Sequence, residues 1–185
     1  PKGLLLSPIS ANTPPEEAAA GAPQPMSMPA LIALETWPKT GSGGFLTRYN
    51  ALQGAIPAAP EGDGKDSDTG ARMALARFLV GSQMSFEAIG VLNAAGRKHQ
   101  TLLGDAEFRG LRGVAKVMAN RLTEADADFS SPVLSDDPSS AMWRGYISAK
   151  QGQWADARGK FAGGGRALGL FPPVWRARFL PAQAQ

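Results

Sequence analysis

Three stretches of the chain repeat one arrangement, and this periodicity narrows the available folds more than any other feature. Phe86-Glu87-Ala88-Ile89-Gly90-Val91-Leu92, Thr123-Glu124-Ala125-Asp126-Ala127-Asp128-Phe129 and Ala155-Asp156-Ala157-Arg158-Gly159-Lys160-Phe161 align, with a small alanine at one point and a large apolar residue four positions later. Ala88, Ala125 and Ala157 lie 37 and 32 residues apart, and twelve residues ahead of them stand further small residues, Ala76, Gly113 and Gly145. A period in the thirties marks helical hairpins that stack on one another, because one such unit cannot bury its apolar face alone. Small residues let two helices approach closely, and the larger residue is expected to fill the gap against the next unit.

Apolar residues around these positions recur every three to four places, which predicts helices over 72–83, 86–95, 108–120, 122–129, 141–150 and 154–161. Strand-like alternation is absent and the connections are short, so neighbouring helices are expected to run antiparallel. Gly163-Gly164-Gly165 should stop the last of them. Phe171-Pro172-Pro173 then starts another, whose Val174, Trp175, Phe179 and Leu180 would cover the exposed end of the array. Upstream the composition changes: ten of the 15 prolines fall in residues 1–60. A segment so rich in proline propagates neither helix nor ladder, so 1–28 reads as an extended Pro/Ala-rich arm, with Leu4-Leu5-Leu6 pairing as a strand or tucking into a groove. Two apolar patches, 29–37 and 45–52, predict a loosely helical pair separated by the breakers of 38–44.

Lys150-Gln151-Gly152-Gln153-Trp154-Ala155-Asp156-Ala157 resembles the turn and second-helix start of a tetratricopeptide repeat, in which a glycine ends helix A, an aromatic residue follows two later and an alanine sits in the helix-B interface. Asn120-Arg121-Leu122-Thr123-Glu124-Ala125 is similar with Asn in the glycine place, since Asn tolerates the left-handed conformation. Gly81-Ser82-Gln83-Met84-Ser85-Phe86-Glu87-Ala88 is looser, with Gly81 two residues early. The resemblance implies an all-α fold: an α-solenoid of about three helix–turn–helix repeats over 66–165, preceded by the arm (1–28) and a lead-in with a polar loop (29–65), and followed by a C-terminal capping helix and tail (166–185). A Sel1-like or other helical-hairpin solenoid would use the same geometry. One departure concerns helix A. The large apolar slot before the small residue holds Leu75 and then Arg112 and Arg144, which a turn one residue longer in the last two repeats would explain.

Zero Cys and a single His exclude disulfides, thiol nucleophiles and any metal centre needing two imidazoles. The polar stretch Glu61–Gly70 fails as a calcium loop, because Gly70 and Arg77 stand where ligands are needed, and as a phosphate loop, because it lacks a Gly-Lys-Ser/Thr ending. It reads instead as a cap, with Asp68 or Thr69 accepting an orphan N–H at the start of the following helix. His99 lies in the polar turn Gly96–Gln100 and reads as a surface loop residue, and Asp136-Asp137-Pro138-Ser139 as a capped helix start. No catalytic, metal or cofactor residue is therefore expected. Lys2–Ile9, with one basic residue and a short apolar run broken by Pro8, is too little for a signal sequence, and no stretch approaches the roughly 20 apolar residues of a membrane span.

These features point to a non-enzymatic scaffold that captures a protein partner, a peptide, helix or subunit, in a groove lined by helix-A residues. The resemblance places Arg77, Val114, Met118, Met142, Tyr146 and Lys150 in that lining. The formal charge of +3 hides an asymmetry: residues 144–185 carry a net +6 and residues 1–143 a net −3. A localised positive field favours an acidic partner. Arg158, Lys160, Arg166, Arg176 and Arg178 form that basic surface. It supports an alternative, nucleic-acid or anionic-surface binding with Trp175 stacking beside Arg176 and Arg178. The Ala/Pro/Gly-rich arm joined to a cysteine-free array would suit a bacterial envelope or appendage assembly, hence the periplasm or cell envelope more than the cytoplasm.

Overall fold

Helical spacing without strand-like alternation gives eight α-helices and no strand among the described residues, 28–184 of a computed structural model. The extended arm expected over 1–28, and with it the Leu4-Leu5-Leu6 segment, lies outside the described residues except for Met28. The helices are α1 (Gly44–Ala58), α2 (Asp68–Gly81), α3 (Ser85–Lys98), α4 (Ala106–Met118), α5 (Leu122–Phe129), α6 (Pro138–Lys150), α7 (Trp154–Gly164) and α8 (Pro173–Gln183). Short 3-10 turns at Gln100–Gly104, Pro132–Leu134 and Gly165–Leu170 join them. Pairs α2/α3, α4/α5 and α6/α7 pack as hairpins, α1 lies on α2, and α8 lies on α6. None of these helices is long and apolar enough to cross a membrane.

The three hairpins turn in the same way. Each leaves three residues between its helices, and the middle one has a left-handed backbone: Gln83 (φ 62°), Asn120 (φ 58°) and Gly152 (φ 75°). In each, the next residue's N–H reaches back five places, Met84 to Leu79 O (2.8 Å), Arg121 to Lys116 O (2.8 Å) and Gln153 to Ser148 O (2.9 Å), satisfying carbonyls that the helix end orphans. The turns are thus of equal length, which corrects the longer turn expected in the last two units. The left-handed position of the first turn belongs to Gln83, not to Gly81.

Two of the small residues, Gly113 and Gly145, sit at helix crossings. A Cβ on Gly113 would come within 2.7 Å of the Phe129 ring, and one on Gly145 within 2.8 Å of Phe161, in each case the partner helix of the same hairpin. The large residue therefore closes its own hairpin rather than only the gap to the next. Phe129 does both, since its ring also stacks on Trp143 of α6 at 6.2 Å. Ala88, Ala125 and Ala157 each occupy the fourth position of α3, α5 and α7 and are at most 1% exposed. Arg112 and Arg144 keep the unshifted register because both reach carboxylates on α5, Asp128 and Asp126.

Helix starts follow their caps. Ser67 accepts from Gly70 N, Asp105 from Phe108 N, and Asp137 from Ser139 N and Ser140 N with Pro138 in the first turn. The cap of α2 is therefore Ser67 rather than Asp68 or Thr69, which lie inside the helix and are buried. Of the predicted lead-in pair, 45–52 is helical within α1, where Phe45, Tyr49, Leu52 and Ile56 form the inward stripe and the Phe45 ring stacks on Phe78 at 5.1 Å. Residues 29–37 are not a helix but a run of turns joined by irregular chain. Their apolar side chains are used against α2, α4 and α6, and that burial overrides the helical spacing.

Candidate functional site

The segment 28–38 crosses the first helices of all three hairpins. Gly81 at the end of α2 meets it so closely that a Cβ would lie 2.7 Å from Trp37 Cβ, and a Cβ on Gly110 of α4 would lie 2.6 Å from Pro29 O. On α6 the Trp143 indole Nε1 donates to Ala30 O at 2.8 Å. Ala30 and Ile32 are 1% and 2% exposed, while Lys39–Gly43, which leads to α1, is largely open to solvent. Glycine at two of the three crossings lets backbone lie on backbone, and the indole satisfies a carbonyl that burial would otherwise orphan. The chain thus lays its own turn-rich segment on the face where helix-A residues were expected to capture a partner.

The six residues expected to line that face do not form one open surface. Val114 and Met142 are buried at 1% and 0% exposure and belong to the core, so neither is available to a ligand. Met118 packs half-buried against the core. Arg77 is tied to Glu107 of α4 and sits beside Met28, Leu31 and Trp37 in a cleft of about 380 Å³. Tyr146 and Lys150 line a different hollow, of about 240 Å³, with Trp154, Arg178, Pro181 and Ala182.

The basic end is also divided. Lys160 is held by Asp156 (2.6 Å) and Ser148 Oγ (2.9 Å), and the bonds that Lys160 and then Ser148 donate to Asp156 keep its carboxyl below the usual range. Arg158 and Arg166 are exposed and Arg176 is half-buried. Trp175 is 3% exposed, packed edge-on against Trp143 at 4.5 Å, so the base-stacking role expected of it is excluded by burial. Arg178 lies over the Trp175 ring, 4.5 Å from its centroid.

Two buried carboxylates organise the remaining charge. Asp128, 1% exposed, accepts from Arg109 (2.9 Å), Arg112 (2.9 Å) and Lys116 (2.7 Å), three cations that α4 presents at helical spacing. Burial pushes its carboxyl up, but the bonds from Arg112 and Lys116 outweigh that and hold it below the usual carboxylate range. Asp68, 2% exposed, gathers His99 Nε2 (3.1 Å), Lys98 Nζ (3.0 Å) and the Gly62 amide (3.3 Å). The His99 bond is the main reason that its carboxyl lies well below the usual range; it outweighs burial, and Lys98 and Gly62 add to it. His99 does stand in the turn after α3, as expected, but it is not a free surface side chain. Its side chain is 13% exposed, with Nε2 on Asp68 and Nδ1 3.5 Å from Asp63, so each nitrogen faces a carboxylate and neither is left for a substrate. Sequence reasoning missed this clasp because its members lie about thirty residues apart and none belongs to a motif.

Comparison with known proteins finds no matching family model, no matching curated protein and no matching solved structure.

Proposed function

We propose that this chain is a non-enzymatic protein-interaction scaffold, a tetratricopeptide-like array of three helical hairpins whose α2/α4/α6 face holds a turn-rich polypeptide segment. Three equal turns, two equivalent glycine crossings and α8 lying on the last hairpin support the repeat reading. The observation that carries the binding reading is the seated segment 28–38, with its carbonyl bond to Trp143 and its close passages over Gly81 and Gly110. A face that accepts one apolar segment through backbone approach and a single indole donor can accept another of the same character. Such a scaffold suits a multiprotein assembly, in a bacterial envelope or appendage among other settings.

Tethered through the short link Lys39–Gly43, the chain's own segment faces this surface at an effective concentration on the order of millimolar. The test therefore breaks the tether. A protease site placed in Lys39–Gly43 is cut, and a labelled peptide of residues 28–38 is titrated into the cut protein. Saturable binding is expected, and Gly110→Val should abolish it because the new side chain occupies the place of the Pro29 carbonyl. Cut protein that stays helical and binds no peptide would remove this reading.

A further inference from the structure

We infer that the aromatic, basic hollow where α6, α7 and α8 meet is a docking site for an acidic segment of a partner protein, one that presents a single apolar side chain flanked by carboxylates. The hollow is separate from the face that carries segment 28–38, so either reading can fail without the other. Its volume is about 240 Å³. A cavity of about 150 Å³ holds a benzene ring, so the space suits one large side chain and not a packed helix. Tyr146, Trp154, Pro181 and Ala182 give it an apolar lining, and Trp154 is 37% exposed at its edge.

Charge decides the flanks. Lys150 and Arg178 line the hollow, and among the described residues no carboxylate does and neither cation has an ion-pair partner. This sets them apart from their neighbours, since Arg144 is paired with Asp126 and Lys160 with Asp156. Both cations rest on aromatic faces, Lys150 Nζ 5.8 Å from the Tyr146 centroid and Arg178 4.5 Å from that of Trp175. An aromatic face restrains a cation without neutralising it, so two positive heads stand beside an apolar space. A nucleic acid would need cations tracking several phosphates and open aromatic faces for its bases. Here two cations frame one apolar pocket and Trp175 is buried, which favours an acidic polypeptide.

The experiment uses the full chain and fluorescence anisotropy with a short synthetic peptide of Glu and Asp around one Leu. Saturable binding is expected. Lys150→Glu with Arg178→Glu should weaken it at least about tenfold, the sum of two modest ion pairs and their reversal. Both side chains are exposed, so circular dichroism should be unchanged; Lys150→Gln with Arg178→Gln gives a milder version of the same loss. Arg158→Glu with Arg166→Glu makes the same charge change outside the hollow and should leave affinity within about twofold. Equal weakening by both pairs would show diffuse attraction and overturn the site. So would equal binding of a peptide with Ser in place of Leu, or tighter, Lys150- and Arg178-dependent binding of a mixed-sequence oligonucleotide of matched charge.

Discussion

Gly113 shows how one missing side chain can set the geometry of a hairpin. A Cβ there would lie 2.7 Å from Phe129 Cζ, and that ring cannot give way, being 1% exposed and stacked on Trp143 at an interplanar angle of 4°. Alanine is a better helix former than glycine by about 1 kcal/mol, whereas overpacking a filled core costs about 1–3 kcal/mol. Gly113→Ala should therefore destabilise the protein by on the order of 1 kcal/mol. Gly159 in α7 is exposed, and a Cβ there meets nothing within 4 Å, so Gly159→Ala keeps only the propensity gain. It should stabilise by about 0.5–1 kcal/mol. Urea unfolding of the two variants checks this directly, because they make the same chemical change in opposite surroundings. A Gly113→Ala protein as stable as the Gly159→Ala one would mean that the crossing is looser than its geometry states.

Among the elements, the three turns share one hydrogen-bond pattern but not one chemistry at its centre. Glycine and asparagine enter the left-handed region readily, and Gln83 at φ 62° does not. Gln83 is exposed and its side chain makes no hydrogen bond among those of the described residues, so nothing offsets the strain. Gln83→Gly should then raise stability by about 1 kcal/mol, read as a rise in the urea midpoint with no change in slope. The same residue explains why the first unit looks irregular in sequence: Gly81 suggested a helix end two residues early, yet its smallness serves the passage of Trp37. The six array helices were legible because a 3.6-residue period needs only apolar spacing and a breaker. The starts of α3, α5 and α7 were read to within one residue, and Asp137 was read as a helix cap. The spacing began α2, α4 and α6 two to four residues late, since a capped first turn such as those after Ser67 and Asp105 is polar and carries no apolar signal. Segment 28–38 was the larger miss. Its spacing fits a helix as well as it fits a strap with buried positions dictated by three other helices, and only the tertiary structure decides between them. For the candidate site, the aromatic and basic character of Tyr146 and Lys150 was visible in sequence, but their junction with Arg178 depends on where α8 folds back.

For the molecule as a whole, each hairpin carries one carboxylate whose folded state favours the ionised form: Asp68 clasping the loop before α2 to the end of α3, Asp128 joining α4 to α5, and Asp156 joining α7 to Ser148 of α6. All three carboxyls lie below their ordinary values. Such a group binds fewer protons folded than unfolded, so its contribution is complete above the unfolded pKa of about 3.9. It is lost as pH falls through that value toward the lower folded one. Asp156 is half exposed and screened by solvent, so it adds little. Asp68 and Asp128 are nearly fully buried and set the response. Stability should be level from about pH 8 to pH 5 and fall steadily below about pH 4. Asp128→Asn separates this from general acid lability. It leaves Arg109, Arg112 and Lys116 without their shared partner, which should cost about 3 kcal/mol at neutral pH. Since the variant has already lost the titrating group, its stability should then decline less steeply than that of the parent between pH 5 and pH 3. Urea midpoints of both proteins across that range decide it, and parallel declines would show that the α4/α5 ion cluster is not what acid dismantles.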